Sequence, residues 1–288
     1  MSRAGDPLAR DPLALDRIPL STATFATLRD MLHEHSGIAL AGHKITMVQS
    51  RLAKRLRSLG IRTYEDYLDL LRDPNCQEWS EFINALTTNL TSFFREGHHF
   101  TRLPELLKPA YEASRRIRIW SAGCSTGEEP YTLALTLVKA FGAKASIQIM
   151  ATDLDTAVLT TAARGVYPIA RIEGLSEEWK RMGFLRGTGE RREQVRVRPE
   201  FQKLITFQQL NLLEAKWALE GGPFQAIFCR NVMIYFDKPT QRTLLERYHR
   251  LLEPNGLLFV GHSEALLDNA LGFHSLGQTI YRRLEKGT

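Results

Sequence analysis

The sequence is poor in cysteine, and its three cysteines lie far apart. Cys76, Cys124 and Cys229 are odd in number and lack the short spacings of a zinc site. Disulfides stabilise small secreted domains, whereas a chain of 288 residues, 43% of them hydrophobic, is long enough to bury a core of its own. We therefore expect reduced thiols, no bound metal ion and two domains.

Long apolar runs are also missing. Charged residues interrupt every apolar stretch well short of the roughly 18 residues that a membrane helix needs, and the beginning of the chain, MSRAGDPLARDP, has no hydrophobic signal region. These absences predict a cytoplasmic protein that does not insert into a membrane. Residues 1–19 are rich in Pro, Asp and Arg and show little periodicity, which predicts a flexible tail.

Phosphate-binding signatures are absent from the glycine turn at residues 123–127. This turn follows a short apolar, strand-like segment, and Glu128 and Glu129 come directly after it. A phosphate-binding loop needs a lysine after its last glycine, and the dinucleotide fingerprint needs the spacing G-x-G-x-x-G. Two carboxylates in their place would repel a phosphate group. The turn therefore predicts a cofactor with a cationic end, and S-adenosylmethionine fits because it carries a sulfonium and an amino group but no phosphate.

Polar residues end three further strand-like segments. Asp153 follows an apolar run at a position where an acidic side chain can accept hydrogen bonds from ribose hydroxyls. Asn211 closes another segment, in a position to meet an adenine amino group. Arg230 and Asn231 follow a buried strand, with Tyr235 one turn later. Because ligands of open α/β sheets bind at the carboxyl ends of the strands, we expect these side chains to surround one site.

The order of the later elements predicts an α/β fold. A helix over residues 240–252, a strand over 256–261 and a hairpin-like segment at the end complete an alternating pattern that closes on an antiparallel pair, as is typical of class I methyltransferases. Residues from about 166 to 204 interrupt this pattern. Their sequence predicts an inserted helix and a small antiparallel β-subdomain.

The residues before the α/β domain predict a small helical domain. Ser21 or Thr22 can cap a first helix that ends near Gly37, and a second helix runs from about residue 43 to 59 with Gly60 as its stop. Two shorter helices follow. The second helix has an apolar stripe at helical spacing, which we expect to be buried and which consists of Ile45, Val48, Leu52, Leu56 and Leu59.

The other side of that second helix is almost entirely basic. Its positive residues include Lys44, Arg51, Lys54, Arg55 and Arg57. A solvated helix face usually mixes signs, so this face predicts a docking surface for an acidic partner, with a plain surface as the alternative. Nucleic acid is a rival partner because the sequence pI is about 9.3. The net charge is only +6, and the chain has no zinc-finger or RNA-binding sheet motif, so we expect no nucleic acid.

Three longer segments resemble one family. The segments are TTNLTSFFRE at 87–96, STGEEPY at 125–131 and FCRNVMIYFD at 228–237, and in this order they are similar to the chemotaxis receptor methyltransferases of the CheR family. The resemblance covers residues 20–284. It implies an all-α domain over 20–90, a linker helix over 91–112, and a class I, Rossmann-like methyltransferase domain over 113–288 with the β-subdomain inserted.

The resemblance also implies an activity and a site. The expected reaction transfers a methyl group from S-adenosylmethionine to glutamate side chains of bacterial chemoreceptors, which forms γ-methyl esters and S-adenosylhomocysteine. Matching the family's motifs gives cofactor-binding positions at Asn89, Thr91, Arg95, Glu129, Asp153, Asn211, Leu212, Arg230 and Asn231. Arg95 and Tyr235 are the expected catalytic residues, near the methyl group or the incoming carboxylate. Within this set, Glu129 is expected at the methionine amino group, Asp153 at the ribose, and Asn211 with Leu212 at the adenine edge.

The partners that the resemblance implies are acidic. Glutamate-rich receptor methylation helices would meet the basic helix, and a receptor C-terminal peptide could add a strand to the β-subdomain, near the turn at 186–189. We expect a cytoplasmic monomer recruited to membrane receptor arrays. A methyltransferase for nucleic acid or a small molecule, and an adaptor without activity, remain as alternatives. We assign no catalytic role to His98 and His99, because such a pair on a helix flank is usually solvated or capped.

Overall fold

The computed structural model describes residues 19–73, 76–87, 89–220, 222–266 and 270–284. The chain divides into two compact units, with the boundary between residues 88 and 89. The sequence pattern predicted this boundary near residue 90. The tail predicted for residues 1–19 lies, apart from its last residue, outside the described residues.

The first unit is helical, as predicted. Its helices are α1 (Thr22–Ser36), α2 (Ile45–Leu59), α3 (Tyr64–Arg72) and α4 (Trp79–Leu86). The Ser21 hydroxyl caps α1 by accepting a 3.0 Å hydrogen bond from the Thr24 N–H, and Gly37 ends the helix in the left-handed region. The apolar stripe of α2 is buried at Val48, Leu52 and Leu56. Leu59 was predicted to be buried and is instead 39% exposed, because it is the last residue before the Gly60 cap.

The second unit is an α/β domain built on a seven-stranded sheet. Its strands are β1 (Arg116–Ala122), β2 (Ser146–Asp153), β6 (Ile205–Gln209), β7 (Phe224–Cys229), β8 (Leu252–Val260), β9 (Phe273–Ser275) and β10 (Ile280–Arg283). The strand order is β6-β2-β1-β7-β8-β10-β9. The first five strands in this order are parallel, and β10 runs antiparallel to both of its neighbours. The predicted antiparallel ending is therefore confirmed.

The helices of this unit cover both faces of the sheet. They are α5 (His98–Ser114), α6 (Glu128–Phe141), α7 (Thr156–Arg164), α8 (Glu177–Gly183), α9 (Pro199–Gln202) and α10 (Lys238–Leu251). Two large apolar clusters result, one around Ile119 and Phe228 and the other around Trp120 and Tyr248. The sheet order reverses between β1 and β7, and a ligand crevice forms at such a reversal, beside the carboxyl ends of the strands.

Helix α5 is a full part of the second unit. The sequence placed a linker helix over residues 91–112, whereas α5 begins at His98 and buries Phe100, Leu103 and Leu107 in the core. These three residues recur at helical spacing, so one face of the helix packs inward. The stretch before α5 also belongs to the second unit, and its Phe93 is buried in the same core.

The insertion between β2 and β6 has the predicted form. Strands β3 (Val166–Pro168), β4 (Phe184–Arg186) and β5 (Gln194–Val197) make an antiparallel sheet in the order β3-β5-β4, with α8 beside it. Phe93 joins this subdomain to the main unit through edge-on ring contacts with Tyr167 and Phe184, each 5.2 Å between centroids. Among the described residues, none of the helices has both the length and the apolar character to cross a bilayer.

Candidate active site

The turn after β1 is closed by two glycines with positive φ. Gly123 has φ +95° and Gly127 has φ +96°, and the N–H groups of Gly123 and Cys124 both donate to the carbonyl oxygen of Thr152 at the end of β2. A Cβ atom on Gly123 would lie 2.3 Å from Cγ2 of Val232. The predicted tight turn with close backbone approach is confirmed, because only glycine fits between β1 and the segment after β7.

Asp153 lies beside this turn, at the end of β2. Its carboxylate accepts hydrogen bonds from the N–H groups of Ser125, at 2.8 Å, and Asp155, at 3.0 Å. Burial raises the pKa of Asp153, although these backbone donors act in the opposite direction. The Asp155 side chain caps α7 and also accepts a 2.9 Å hydrogen bond from the Asn89 amide. Asn89 is therefore connected through Asp155 to the end of β2.

Arg230 connects three segments that are distant in sequence. Its Nη1 donates to Glu129 Oε2 at 2.8 Å, and its Nη2 donates to the carbonyl oxygen of Arg95 and lies 3.3 Å from Glu96 Oε2. The other Glu129 oxygen accepts a 2.7 Å hydrogen bond from Ser121 at the end of β1. The Arg230 side chain is only 3% exposed, so both carboxylates neutralise a buried charge.

Thr91 and Arg95 lie in the short stretch that precedes α5. The Arg95 guanidinium donates to the carbonyl oxygen of Leu90 at 2.6 Å, and the carbonyl oxygen of Thr91 accepts from Arg171 at 3.0 Å. Arg171 lies in the inserted β-subdomain. Another residue of that subdomain, Tyr167, donates its hydroxyl to the carbonyl oxygen of Thr126 at 2.6 Å. The subdomain thus supports both the stretch before α5 and the turn after β1.

Asn211 and Leu212 follow β6, the strand that pairs with β2 and ends opposite Asp153. The N–H of Leu210 donates to the carbonyl oxygen of Asp153 at 3.0 Å, which draws this segment to the end of β2. The Asn211 side-chain oxygen accepts a 2.9 Å hydrogen bond from the Leu213 N–H. Both predicted positions therefore lie at the expected edge of the sheet.

Asn231 and Tyr235 lie in the segment after β7. Asn231 adopts φ +59°, and its N–H donates to Glu264 Oε2 at 2.7 Å. The same carboxylate accepts from the N–H groups of Gly261, at 2.7 Å, and Ile234, at 3.1 Å. Burial raises the pKa of Glu264, which the backbone donors oppose. Tyr235 is half-buried and ends a single helical turn that begins at Met233.

Three residues of this region were not predicted from the sequence. Ser121 and Glu96 contact the pair formed by Glu129 and Arg230, and Glu264 fixes the backbone of Asn231. Ser121 carried a usable signal, since it is a polar residue near the carboxyl end of an apolar strand, and Glu264 carried a weaker one, since it lies four residues after the end of β8. Glu96 carried little, because only its contact with Arg230 distinguishes it from other charged residues of a loop.

His99 is buried, contrary to the solvated or capped environment expected for it. Its Nε2 lies 2.9 Å from the carbonyl oxygen of Gln278, so this nitrogen carries the proton. Burial lowers the pKa of His99 to about 4. The ring is therefore neutral at pH 7, and its one N–H donates to the carbonyl oxygen of Gln278.

The basic residues of α2 fall into two groups, those that bind within the helical unit and those that are exposed. The Arg51 guanidinium donates to the carbonyl oxygens of Leu86 and Thr87, and Arg55 forms a two-bond ion pair with Glu78, which is 7% exposed. Both arginines thus stabilise the helical unit itself. Lys44 and Lys54 are exposed, and Arg57 is half-buried. The outward positive charge of α2 is smaller than the sequence pattern predicted.

The residues at the carboxyl edge of the sheet fit a cofactor such as S-adenosylmethionine. Carboxylates end β2 and begin α6, Asn211 follows β6, and no lysine lies in the turn at 123–127. This donor set suits an amino group, a ribose and an adenine and disfavours a phosphate.

Comparison with known families decides the assignment. Residues 89–282 match the model described as "CheR methyltransferase, SAM binding domain", and residues 23–87 match the one described as "CheR methyltransferase, all-alpha domain". The chain belongs to the CheR methyltransferase family. The fold class predicted from the sequence, a class I methyltransferase domain preceded by an all-α domain, is confirmed, and the CheR protein is an S-adenosylmethionine-dependent methyltransferase.

Individual relatives agree with the CheR assignment over nearly the whole chain. The chain is 51% identical to a chemotaxis protein methyltransferase of Klebsiella aerogenes over 267 residues, which is 92% of this chain and 91% of the relative. It is 49% identical to chemotaxis protein methyltransferase 2 of Pseudomonas aeruginosa, over 89% of this chain and 91% of the relative. A chemotaxis protein methyltransferase of Escherichia coli is 46% identical over 92% of each chain.

Proposed function

We propose that this CheR protein transfers a methyl group from S-adenosylmethionine to glutamate side chains of bacterial chemoreceptors and so forms γ-methyl esters. The observation that best supports this is the position of Arg230, which ties Glu129 at the start of α6 to the backbone of Arg95. That link holds a cofactor-facing carboxylate beside the stretch predicted to meet the substrate. The proposal agrees with the names of the relatives, which are chemotaxis methyltransferases.

Six of the nine predicted cofactor positions have the following proposed roles. Glu129 binds the amino group of the methionine part, Asp153 binds the ribose, and the Asn211–Leu212 segment contacts the adenine edge. Asn89 and Thr91 shape the entrance, since they are tied to Asp155 and Arg171. Bound S-adenosylmethionine supplies an activated methyl group on its sulfonium.

The reaction needs no general base in the protein. A glutamate side chain has an ordinary pKa of about 4.3 and is already ionised at pH 7, so its oxygen can attack without losing a proton. The work of the protein is to align the carboxylate and to exclude water. Arg95 and Tyr235 are proposed to orient the incoming carboxylate, and the Glu264 contacts hold the segment that carries Tyr235.

Two surfaces are proposed to bind the receptor. The exposed lysines of α2, Lys44 and Lys54, together with Arg57, would face the acidic methylation helix. An edge strand of the β-subdomain, β4, would accept a receptor C-terminal peptide by strand addition. Arg51 and Arg55 contribute less to docking, because their guanidinium groups bind inside the helical unit. We propose that the protein is a cytoplasmic monomer and that these two contacts recruit it to receptor arrays.

The test is a transfer assay with receptor-containing membranes. The purified protein is incubated with methyl-labelled S-adenosylmethionine, and the labelled membranes are then treated with mild base. A carboxyl methyl ester releases its label as methanol, so base-labile incorporation is the expected result. Membranes without chemoreceptors provide the control. Base-stable label would indicate another substrate, and no label despite measurable cofactor binding would indicate an adaptor without activity.

A further inference from the structure

The loop after β6 is held by one arginine of α10. Arg247 donates from Nη1 to the carbonyl oxygen of Leu212 at 3.1 Å, and from Nη2 to those of Glu214, at 2.6 Å, and Ala215, at 3.2 Å. Its guanidinium carbon also lies 3.6 Å from the centre of the Trp217 ring. One side chain therefore contacts four residues of the loop between β6 and β7, through hydrogen bonds and a cation–π contact.

The carbonyl oxygen of Leu212 has two donors. Trp217 Nε1 donates to it at 3.3 Å, in addition to Arg247. A carbonyl oxygen has two lone pairs, so these two hydrogen bonds use its accepting capacity. The Trp217 ring is itself fixed against the core by edge-on contact with Trp120, at 5.2 Å between centroids. The oxygen of the peptide group between Leu212 and Leu213 is thus fixed in direction.

The N–H of that same peptide group fixes Asn211. The Leu213 N–H donates to the side-chain oxygen of Asn211 at 2.9 Å. Because a peptide group is planar, fixing its carbonyl oxygen also fixes its N–H. Arg247 on α10 is consequently connected to the Asn211 amide through one peptide plane.

We infer that Arg247 is a positioning residue for recognition of the adenine base. It does not touch the cofactor, and it acts by fixing the Leu212–Leu213 peptide and hence the Asn211 amide. The inference rests on the proposed role of the Asn211–Leu212 segment at the adenine edge. It predicts that Arg247 contributes to selectivity for adenine over a base that lacks the amino group, rather than to affinity for the whole cofactor.

The experiment compares two ligands by calorimetric titration of the full chain. S-adenosylhomocysteine carries the adenine amino group, and S-inosylhomocysteine has a carbonyl oxygen in its place. The variants are Arg247→Met, which keeps length but removes the donors, and Arg247→Lys, which retains one charged donor. Arg242→Met is the matched control, since Arg242 lies on the same helix and pairs only with the exposed Glu246 among the described contacts.

Arg247→Met is expected to lower affinity for S-adenosylhomocysteine about tenfold, the equivalent of roughly one good hydrogen bond, with affinity for the inosyl compound unchanged. Arg247→Lys should restore part of the selectivity, and Arg242→Met should leave it intact. A parallel loss for both ligands, or no loss for either, overturns the inference. Should Arg247→Met fail to fold by circular dichroism, Trp217→Phe removes one donor to Leu212 and should reduce the same ratio by a smaller factor. A wild-type protein that binds neither ligand would instead refute the proposed function.

Discussion

The backbone N–H of Asn231 donates a 2.7 Å hydrogen bond to the carboxylate of Glu264, which lies 33 residues later in the sequence. Two further N–H groups, those of Gly261 and Ile234, donate to the same carboxylate. This one side chain therefore connects the end of β8 with the segment after β7. Asn231 adopts a φ of +59°, which is uncommon outside glycine although asparagine tolerates it better than most residues, and the Glu264 contact holds it there.

Glu264→Gln tests that support. The amide keeps the shape of the side chain but places an NH₂ group against backbone donors, so we expect a loss of about 2 kcal/mol in the free energy of unfolding. We also expect kcat to fall roughly 10-fold to 100-fold, since the segment with Asn231 and Tyr235 would shift. Urea unfolding and initial rates measure the two effects. Glu105→Gln, at an exposed position on α5, is the control, and equal effects from both variants would contradict the prediction.

Gly123→Ala should damage the cofactor site. The new Cβ atom would lie 2.3 Å from Val232, and φ +95° is unfavourable for alanine, so we expect about 3 kcal/mol of destabilisation and a loss of S-adenosylhomocysteine binding. Gly142→Ala is matched in backbone strain, with φ +89°, but nothing lies within 4 Å of its Cβ position. That variant should cost about 1 kcal/mol and keep binding. Thermal unfolding and titration calorimetry distinguish the two, and loss of binding in both would show that strain alone is responsible.

His99 should make the second unit sensitive to acid. Its pKa is lowered to about 4, against about 6.5 in an unfolded chain, so between these values the unfolded state binds more protons. Stability is then retained above pH 6.5 and lost as the pH falls toward 4, and the change from pH 7 to pH 5 amounts to about 2 kcal/mol.

His99→Gln is the variant that isolates this effect. The Gln amide can still donate to the carbonyl oxygen of Gln278 but does not titrate. The difference between the unfolding free energies at pH 7 and pH 5 should therefore be about 2 kcal/mol smaller in the variant than in the wild type. Urea denaturation at the two pH values provides the measurement, and an unchanged difference would mean that His99 is not the titrating group.

Arg55 and Lys54 are neighbours on α2 that should behave differently. Arg55→Ala leaves the buried Glu78 carboxylate with only the Tyr67 hydroxyl among its described partners, so we expect the helical unit to lose about 3 kcal/mol of stability. Lys54→Ala should change stability by less than about 0.5 kcal/mol, because Lys54 is exposed. Hydrogen exchange of the α2 and α4 amides, relative to those of β1, measures the effect on this unit. Faster exchange in both variants, or in neither, would oppose this division of roles.

Lys54→Glu tests the proposed docking surface at an exposed position of α2. A reversed charge opposite an acidic receptor helix should raise KM for receptor membranes about tenfold, with the affinity for S-adenosylhomocysteine unchanged. Lys108→Glu, an exposed charge reversal on α5, is the control. Added salt should narrow the gap between wild type and Lys54→Glu, because salt screens exposed charges. Equal KM values for the two reversals would argue against docking through α2.

The local features of the site were predictable from the sequence. The turn at Gly123, the acid at the end of β2 and the polar residues after β7 each follow an apolar strand, and strand ends are visible as changes of pattern. Helix caps such as Ser21 are visible for the same reason, since the capping residue lies within three positions of the group that it binds.

Pairings between distant residues were not predictable. Periodicity assigned Arg55 to the polar side of α2 but gave no sign that Glu78, 23 residues later, would bind it. Arg247 appeared as one more positive residue of α10, whereas its partners are carbonyl oxygens some 35 residues earlier. Such contacts depend on tertiary packing, which the spacing of residue types does not encode.

The hydroxyl of Tyr167 has a consequence for how the inserted subdomain is regarded. An insertion that only captured a peptide could be removed at little cost to the rest of the enzyme. Here Tyr167 of the insertion donates to the carbonyl oxygen of Thr126, and Arg171 donates to that of Thr91. Two rings of the insertion also pack against Phe93. Excising it would remove the side chains that hold Thr126 and Thr91, so a shortened enzyme would lose support for the turn after β1 as well as the proposed peptide-binding edge.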